Sequence, residues 1–219
     1  MADWLSFAVK YGPAILSGAA MTLWLTLCGA ALGVTFGILM AAGRLAWPRG
    51  FGWPVNVYVE VFRDTPFIVQ LFFIYFGLPS IGIHFGALEA AVLALTLNLG
   101  AYATELVRAG FESLPAGQEE AAKALGLHRF IVFTRIMLPQ AVAAVRPALL
   151  SQIVISMLDT AVVSQIALAD LTFEADLVQT ETFRAFETYV VVTLLYFCLS
   201  TLLRRTLGAS TARLMRRVA

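Results

Sequence analysis

The stretch Glu105–Pro147 reads ELVRAGFESLPAGQEEAAKALGLHRFIVFTRIMLPQAVAAVRP, a polar and mostly helical segment between two hydrophobic blocks. Pro115 is predicted to open a helix, because proline is tolerated at the first helical position, where its missing N–H would have no partner. Strong helix formers rich in alanine follow, and Gly126 stands where a left-handed residue would end the helix. A helix this short is marginal on its own. Its smooth alanine face is therefore predicted to dock on another protein.

Several residues of this stretch are set at fixed spacing. Glu120–Ala122 is followed after three residues by Gly126, after nine more by Ile136 and after one more by Leu138-Pro139. This pattern resembles the EAA loop of permease subunits from bacterial ABC importers. The letters EAA alone occur in many alanine-rich helices, but the full set is not easily met by chance. The alternative is an ordinary amphipathic connector.

The resemblance implies that region 113–139 is a cytoplasmic coupling region whose helix binds an ATPase subunit. Glu120 would pair with a basic residue in a groove of that ATPase, the alternative being a solvated surface carboxylate. Gly126 would set the angle between the docking helix and the membrane. The coupling residues that the resemblance implies are Glu120, Ala121, Ala122, Gly126 and Pro139.

The composition indicates an integral membrane protein. Hydrophobic residues make up 60% of the 219 residues, charged residues only 13%, and the mean hydropathy is +0.83, whereas soluble domains carry about 25% charged residues. Cys28 and Cys198 both fall in apolar blocks and are interpreted as small buried hydrophobes. His84 and His128 are far apart, so no metal site is predicted. No nucleophile–base set that would indicate an enzyme is found.

The apolar blocks predict an all-α fold with five transmembrane helices, because about 20 apolar residues cross a bilayer. The resemblance implies that these helices form a single permease domain, residues 1–219, of the type I ABC importer kind. Met1–Tyr11 is predicted to be an interfacial helix anchored by Trp4, Phe7 and Tyr11. A small-residue stripe, Gly29, Gly33 and Gly37, predicts close helix packing, either within this subunit or against a neighbouring one. The five spans are predicted at about 14–43, 66–88, 89–110, 139–165 and 187–205.

The distribution of basic residues predicts the orientation. With the N-terminus outside and the C-terminus in the cytoplasm, 13 of the 15 basic residues fall inside, as the positive-inside rule requires. Only Lys10 and Arg184 remain outside, and Arg63 is placed in the first inner region. The acid-rich segment from Asp170 to Glu187 then lies outside, where it favours a cationic substrate or, as the alternative, the docking of a binding protein.

Polar side chains within the spans are candidates for a substrate path, because a charge near the centre of a span costs about 2.5–3.5 kcal/mol and usually faces a cavity. Asp159 is the clearest of them. In the family the text around it often reads Lys-Asp-Thr-Ser, and here Leu158 replaces the lysine. The alternative for each candidate is a helix–helix hydrogen bond. The predicted pathway residues are Asp159, Thr160, Ser164, Asn98, Tyr102, Glu105 and Gln70.

Two further phrases strengthen the resemblance. FRDTPFIVQLFFIYFGLP, residues 62–79, and TFRAFETY, residues 182–189, resemble polar amino acid permeases. This implies a bacterial inner-membrane subunit that pairs with a second permease, identical or sibling. It also implies a cytoplasmic ABC ATPase dimer, an extracytoplasmic substrate-binding protein and import of amino acids or similar small polar solutes. No nucleic-acid partner is implied.

The chain carries no GxxxxGK[ST] phosphate-binding loop. No cofactor is therefore predicted in this chain, and ATP and Mg would be bound by the partner ATPase. The alternative function is a stand-alone secondary transporter or channel. Such a protein is expected to show internal repeats and to carry coupling-ion carboxylates in broken helices. No convincing repeat relates the two halves. A membrane scaffold that recruits a partner through its cytoplasmic segment is the third hypothesis.

Overall fold

The computed structural model describes the backbone of residues 2–115 and 117–215, and the side chains of residues 9–115, 117–118, 120–122 and 124–209. The predicted anchors Trp4 and Phe7 lie outside the described side chains. The α-helices are α1 Ala2–Ala46, α2 Gly52–Arg63, α3 Phe67–Phe72, α4 Ala87–Glu112, α5 Gly117–Ala124, α6 Arg129–Ile131, α7 Leu138–Asp159, α8 Leu171–Thr182 and α9 Ala185–Met215.

Short segments of other helical geometry extend three of these helices. A π-helical turn and a 3-10 turn continue α3 through Ile81, and a π-helical turn joins α6 to α7. A 3-10 segment, Thr160–Ile166, continues α7. The described chain is thus helical in each of its membrane-spanning elements.

Four continuous helical segments are long and apolar enough to cross a membrane: Val9–Ala46, Ala87–Glu112, Arg129–Ile166 and Ala185–Ala209. A fifth span is formed by α2 and the segment Phe67–Ile81, with a bend of 109° at the break between them. The predicted fold class, a five-helix membrane protein with a coupling helix between the third and fourth spans, is confirmed.

The second span differs in outline from the predicted range 66–88. It takes in α2, and its helix ends at Ile81 because Gly82 has a φ of +86°, a left-handed conformation that stops the helix. The break lies at Pro66, whose extended backbone (ψ 141°) precedes α3. Proline has no N–H with which to continue a helix from the preceding turn, so the chain changes direction there.

The glycine stripe of α1 packs against α4 of the same subunit. A Cβ at Gly29 would lie 3.1 Å from the Leu95 Cβ, and one at Gly33 would lie 3.0 Å from the Leu99 Cβ. At Gly37 it would lie 2.5 Å from the Ala103 Cβ and 2.8 Å from a backbone oxygen of α4. Of the two possibilities left open by the sequence, the structure selects packing within the subunit.

Gly37→Ala is expected to lower the melting temperature of the purified protein in detergent, because the added methyl group meets backbone atoms that cannot move aside. Overpacking of this kind costs about 1–3 kcal/mol. Gly12→Ala in the same helix is the matched control, since no described residue outside its own helical turn lies within 4 Å of its Cβ position. Alanine is the better helix former, so the control should be neutral or stabilising. Equal melting temperatures for both variants would contradict the packing.

Helix α8 was not predicted from the sequence. The sequence interpretation described this segment only as acid-rich. Asp170 caps it: the Asp170 Oδ1 accepts a hydrogen bond of 2.9 Å from the Phe173 N–H. The Leu171 N–H donates to the Thr22 hydroxyl of α1 at 3.2 Å, and the Tyr196 hydroxyl of α9 donates to the Asp170 Oδ2 at 3.4 Å. The start of α8 is thereby fixed between α1 and α9.

Asp170 is fully buried, and burial raises the pKa of its carboxyl group from the usual 3.8 to about 6. Because the folded state holds the proton more tightly than the unfolded state, stability should fall as the pH rises from about 4 to about 6. Asp170→Asn keeps the cap and removes the charge. The melting temperatures of this variant and the wild type should be equal near pH 4. Above pH 6 the variant should melt at the higher temperature, because its free energy of unfolding is larger by up to about 3 kcal/mol.

The measurement is a series of melting temperatures between pH 4 and pH 8 for the wild type, Asp170→Asn and Asp170→Ala. The alanine variant loses the cap and should be less stable than the asparagine variant at every pH. A constant difference between wild type and Asp170→Asn across the series would contradict the raised pKa.

Candidate functional site

A cavity of about 380 Å³ lies where the break between α2 and α3 faces α4 and α7. Asn98 is near the middle of α4, so the cavity sits about halfway along that span. Three predicted pathway residues meet here: Asn98 and Tyr102, one turn apart in α4, and Asp159, which is distant from them in sequence. The lining residues are Arg63, Asp64, Thr65, Pro66, Phe67, Asn98, Tyr102, Gln152, Ile155 and Asp159.

The cavity carries charge of both signs. The Arg63 guanidinium lies over the Tyr102 ring, 5.5 Å from its centroid, and such a cation–π contact orients the charged group. Asp64 and Asp159 contribute two carboxylates. Within the described part of the chain, neither a salt bridge nor a hydrogen bond occupies the Asp159 carboxylate, so its oxygens remain available to a solute. Tyr102, Asn98 and Gln152 supply neutral hydrogen-bonding groups.

Arg63 is a site residue that the sequence interpretation missed. The positive-inside argument placed it in a cytoplasmic region, but it ends α2 inside the broken span and lines the cavity. The signal was present in the text Phe62-Arg63-Asp64-Thr65-Pro66, where a charged pair directly precedes a helix-breaking proline. Backbone that departs from helix within a membrane is tolerated where it lines a cavity.

Gln70 lies behind the cavity lining and braces the helix break. Its Nε2 donates to the Phe62 and Thr65 carbonyl oxygens at 2.8 and 3.0 Å, and its Oε1 accepts from the Asn98 Nδ2 at 2.9 Å. These bonds satisfy carbonyl groups that the break leaves without helical partners. Gln70 thus fixes both the broken backbone and the orientation of Asn98.

Three other predicted pathway residues also lie outside the cavity lining. Thr160 and Ser164 are buried in the 3-10 segment, and each hydroxyl donates to the backbone carbonyl three residues earlier. Glu105 lies further along α4, where its Oε1 accepts from Arg44 at 2.7 Å and its Oε2 from Arg108 at 2.8 Å. The structure therefore places Glu105 in an ion-pair cluster that joins α1 to α4.

The predicted docking helix is α5, Gly117–Ala124. Glu120 and Ala121 are exposed, whereas Ala122 is buried and its carbonyl accepts the Leu127 N–H at 3.1 Å. Gly126 has a φ of +70°, the left-handed conformation predicted for it. One face of α5 is thus held against the protein while the other, with Glu120, is open to a partner.

A reciprocal amide pair ties α5 to α7. The Gln118 Nε2 donates to the Gln140 Oε1 at 3.0 Å, and the Gln140 Nε2 donates to the Gln118 Oε1 at 2.9 Å. Pro139, a predicted coupling residue, is the second residue of α7, a position where proline is tolerated. The first turn of α7 is thereby linked to the docking helix, a connection that spacing in the sequence did not reveal.

The sequence of residues 33–217 matches the family model described as "Binding-protein-dependent transport system inner membrane component". The chain belongs to this family. It is therefore a permease, the membrane-spanning subunit of such a system rather than its ATPase.

Curated relatives of this permease agree with that assignment. It is 35% identical to the arginine transport system permease protein ArtQ of Bacillus subtilis (strain 168), over 85% of this chain and 86% of the relative. It is also 35% identical to the glutamine transport system permease protein GlnP of Escherichia coli (strain K12), over 87% of this chain and 88% of the relative.

Solved structures support the same fold. A crystal structure of an amino acid ABC transporter with histidines superposes with a TM-score of 0.83 at 36% identity, covering 94% of the permease and 96% of that chain. The MetNI methionine ABC transporter in an inward-facing conformation superposes with a TM-score of 0.67 at 20% identity, over 100% and 99% of the two chains. The latter likeness shows the fold alone.

Proposed function

We propose that this permease forms the membrane pathway of an ATP-driven importer of amino acids or related small polar solutes. The observation that carries the proposal is the cavity midway along α4, in which one guanidinium and two carboxylates face the same space. A free amino acid carries both an ammonium and a carboxylate group. A site with fixed charges of both signs complements it, and low dielectric strengthens each contact.

Within this cavity we assign roles to two of the three charged groups, Arg63 and Asp159. Arg63 is the partner for the carboxylate of the solute, because a guanidinium matches that group in two-point geometry. Asp159 is the partner for the ammonium, because its oxygens carry no other bond among the described residues. Arg63 thereby supplies a cation to the site in a sequence where Leu158 replaces the family's usual lysine beside Asp159.

Coupling to ATP hydrolysis is assigned to α5 and α7. The open face of α5, with Glu120, would bind a groove of the ATPase, and the Gln118–Gln140 amide pair would pass its movement to the start of α7. Helix α7 ends at Asp159. Because a 22-residue helix is about 33 Å long, one element joins the docking surface to the proposed solute site.

The complete assembly follows from the same proposal. The permease would lie in the bacterial inner membrane with its N-terminus outside and its C-terminus in the cytoplasm. It would pair with a second permease, identical or sibling, above a cytoplasmic ATPase dimer that binds ATP and Mg, and would receive its solute from an extracytoplasmic binding protein. Family membership and the positive-inside distribution support this arrangement.

The test is a gentle purification of the tagged chain from its own membranes, followed by identification of the co-purifying proteins by mass. An ATPase with a phosphate-binding loop is expected in about equal amount, and ATP-dependent uptake of a labelled amino acid is expected after reconstitution into liposomes. A chain that purifies alone and transports without ATP would overturn the proposal in favour of a stand-alone secondary transporter or channel.

A further inference from the structure

A second cavity, of about 460 Å³, lies between the end of α1, the start of α2 and the end of α4. It is at the same end of the molecule as the docking helix, because α4 ends at Glu112 directly before α5. It is separate from the proposed solute site and shares no lining residue with it. Its polar lining is formed by Arg44, Arg108, Glu112 and Asn56, beside the ring of Trp53.

The aromatic residues around this cavity place it at the level of the lipid headgroups. Trp53 and Trp47 are 73% and 74% exposed, and Leu45 is 45% exposed. Leu45 and Trp47 flank Ala46, where the first apolar span ends, and Trp53 lies in the first turn of α2, the next helix of the chain. Exposed tryptophans at the end of a span typically sit at the membrane–water interface. A ligand that enters the cavity from the side would therefore be part of a lipid.

The charges of the cavity are balanced. Glu105, behind the lining, accepts from the Arg44 Nη1 at 2.7 Å and from the Arg108 Nη2 at 2.8 Å, and Arg108 also pairs with Glu112. Two guanidinium groups thus stand against two carboxylates. Each guanidinium has five N–H donors. Among the described residues Arg44 donates only to Glu105, so its remaining donors are available for a phosphate group.

Asn56 adds an unsatisfied acceptor. Its Oδ1 is buried and has no hydrogen-bond donor among the described residues, although most buried polar atoms have a partner. Asn56 is one of the residues that line the cavity, and a half-turn about its last torsion exchanges the amide oxygen and nitrogen. A donor inside the cavity would then satisfy the oxygen.

We infer that this cavity binds the headgroup of phosphatidylethanolamine. Its phosphodiester would accept hydrogen bonds from Arg44 and Arg108, and its primary ammonium would donate to Glu112 and Asn56. A headgroup of no net charge suits a cluster of no net charge, whereas an anionic headgroup without an ammonium would leave Glu112 facing negative charge. A choline headgroup would fail for a different reason, because its quaternary nitrogen has no N–H.

The experiment is native mass spectrometry of the purified complex after partial delipidation and exchange into mixed micelles. The micelles contain equal amounts of phosphatidylethanolamine, phosphatidylcholine and phosphatidylglycerol with identical acyl chains. Retention of phosphatidylethanolamine at least fivefold above the other two is expected. Equal retention of all three, or preference for phosphatidylglycerol or phosphatidylcholine, would overturn the inference.

Variants locate the binding within the molecule. Asn56→Leu should abolish the preference, and Asn56→Gln, which keeps a neutral amide acceptor, should retain it. Arg49→Gln is the matched control, because this basic residue lies in the same α1–α2 connection but not in the cavity lining. An Asn56→Leu complex of normal subunit composition that keeps the full preference would show that the lipid binds elsewhere and would overturn the assignment.

Discussion

Replacing Asp159 by asparagine is expected to reduce the initial rate of amino acid uptake at least tenfold. The substitution leaves the size of the side chain almost unchanged and removes the carboxylate that we assign to the ammonium of the solute. Truncating one partner of a desolvated, hydrogen-bonded charge pair costs about 2–5 kcal/mol, and about 1.4 kcal/mol corresponds to a factor of ten. The measurement is uptake by proteoliposomes that contain equal amounts of assembled complex.

Glu174→Gln is the matched control for this experiment. It makes the same chemical change to a carboxylate of α8, a helix that contributes no residue to the solute cavity. Its uptake rate should stay within about twofold of the wild type, since substitutions away from specific contacts usually change free energies by less than about 0.5 kcal/mol. Equal loss in both variants, or no loss in Asp159→Asn, would remove Asp159 from the solute site.

The cavity explains why the sequence predicted some site residues and missed others. Asp159 was found because a lone carboxylate in an apolar block is costly unless it faces a polar space. Arg63 was missed because it stands at the edge of an apolar block. The positive-inside rule assigns a basic residue in that position to a cytoplasmic loop. Only the folding of α2 back towards α4 brings it beside Tyr102, and that bend is a tertiary feature.

Other polar residues show the limit of the same argument. Glu105 satisfies the criterion of a charge within a span as well as Asp159 does, yet it pairs with Arg44 from another helix. Gln70 is a neutral polar residue within a span, and it serves the helix break instead. A sequence shows that a polar group needs a partner, but it does not show whether that partner is a solute or another helix.

Helix α5, which we propose to be the docking helix, was predictable for the opposite reason, because its features are local. A left-handed glycine such as Gly126 and the fixed spacing to Pro139 can be recognised without knowledge of the packing around them. Helix α8 also had a local signal, an aspartate at its N-cap with Glu174 in its first turn. This helix-start signal was overlooked because the acidic residues of the segment were interpreted as part of an outer surface.

Glu120→Arg is expected to lower the amount of ATPase that co-purifies with the permease at least tenfold. The side chain lies on the open face of α5, and we assign it an ion pair with a basic residue of the ATPase groove. Reversing the charge replaces attraction by repulsion at close range, and like charges across an interface cost several kcal/mol. The measurement is the molar ratio of ATPase to permease after affinity purification at low salt.

The membrane fold should be unaffected by this change, because Glu120 contributes no described contact to the core, whereas Ala122 on the opposite face is buried. The melting temperature and elution volume of the purified variant test this point. Glu181→Arg is the matched control, an equal reversal of charge on an exposed carboxylate at the end of α8. It should leave the ATPase ratio at the wild-type value. A normal ratio for Glu120→Arg would remove Glu120 from the docking role.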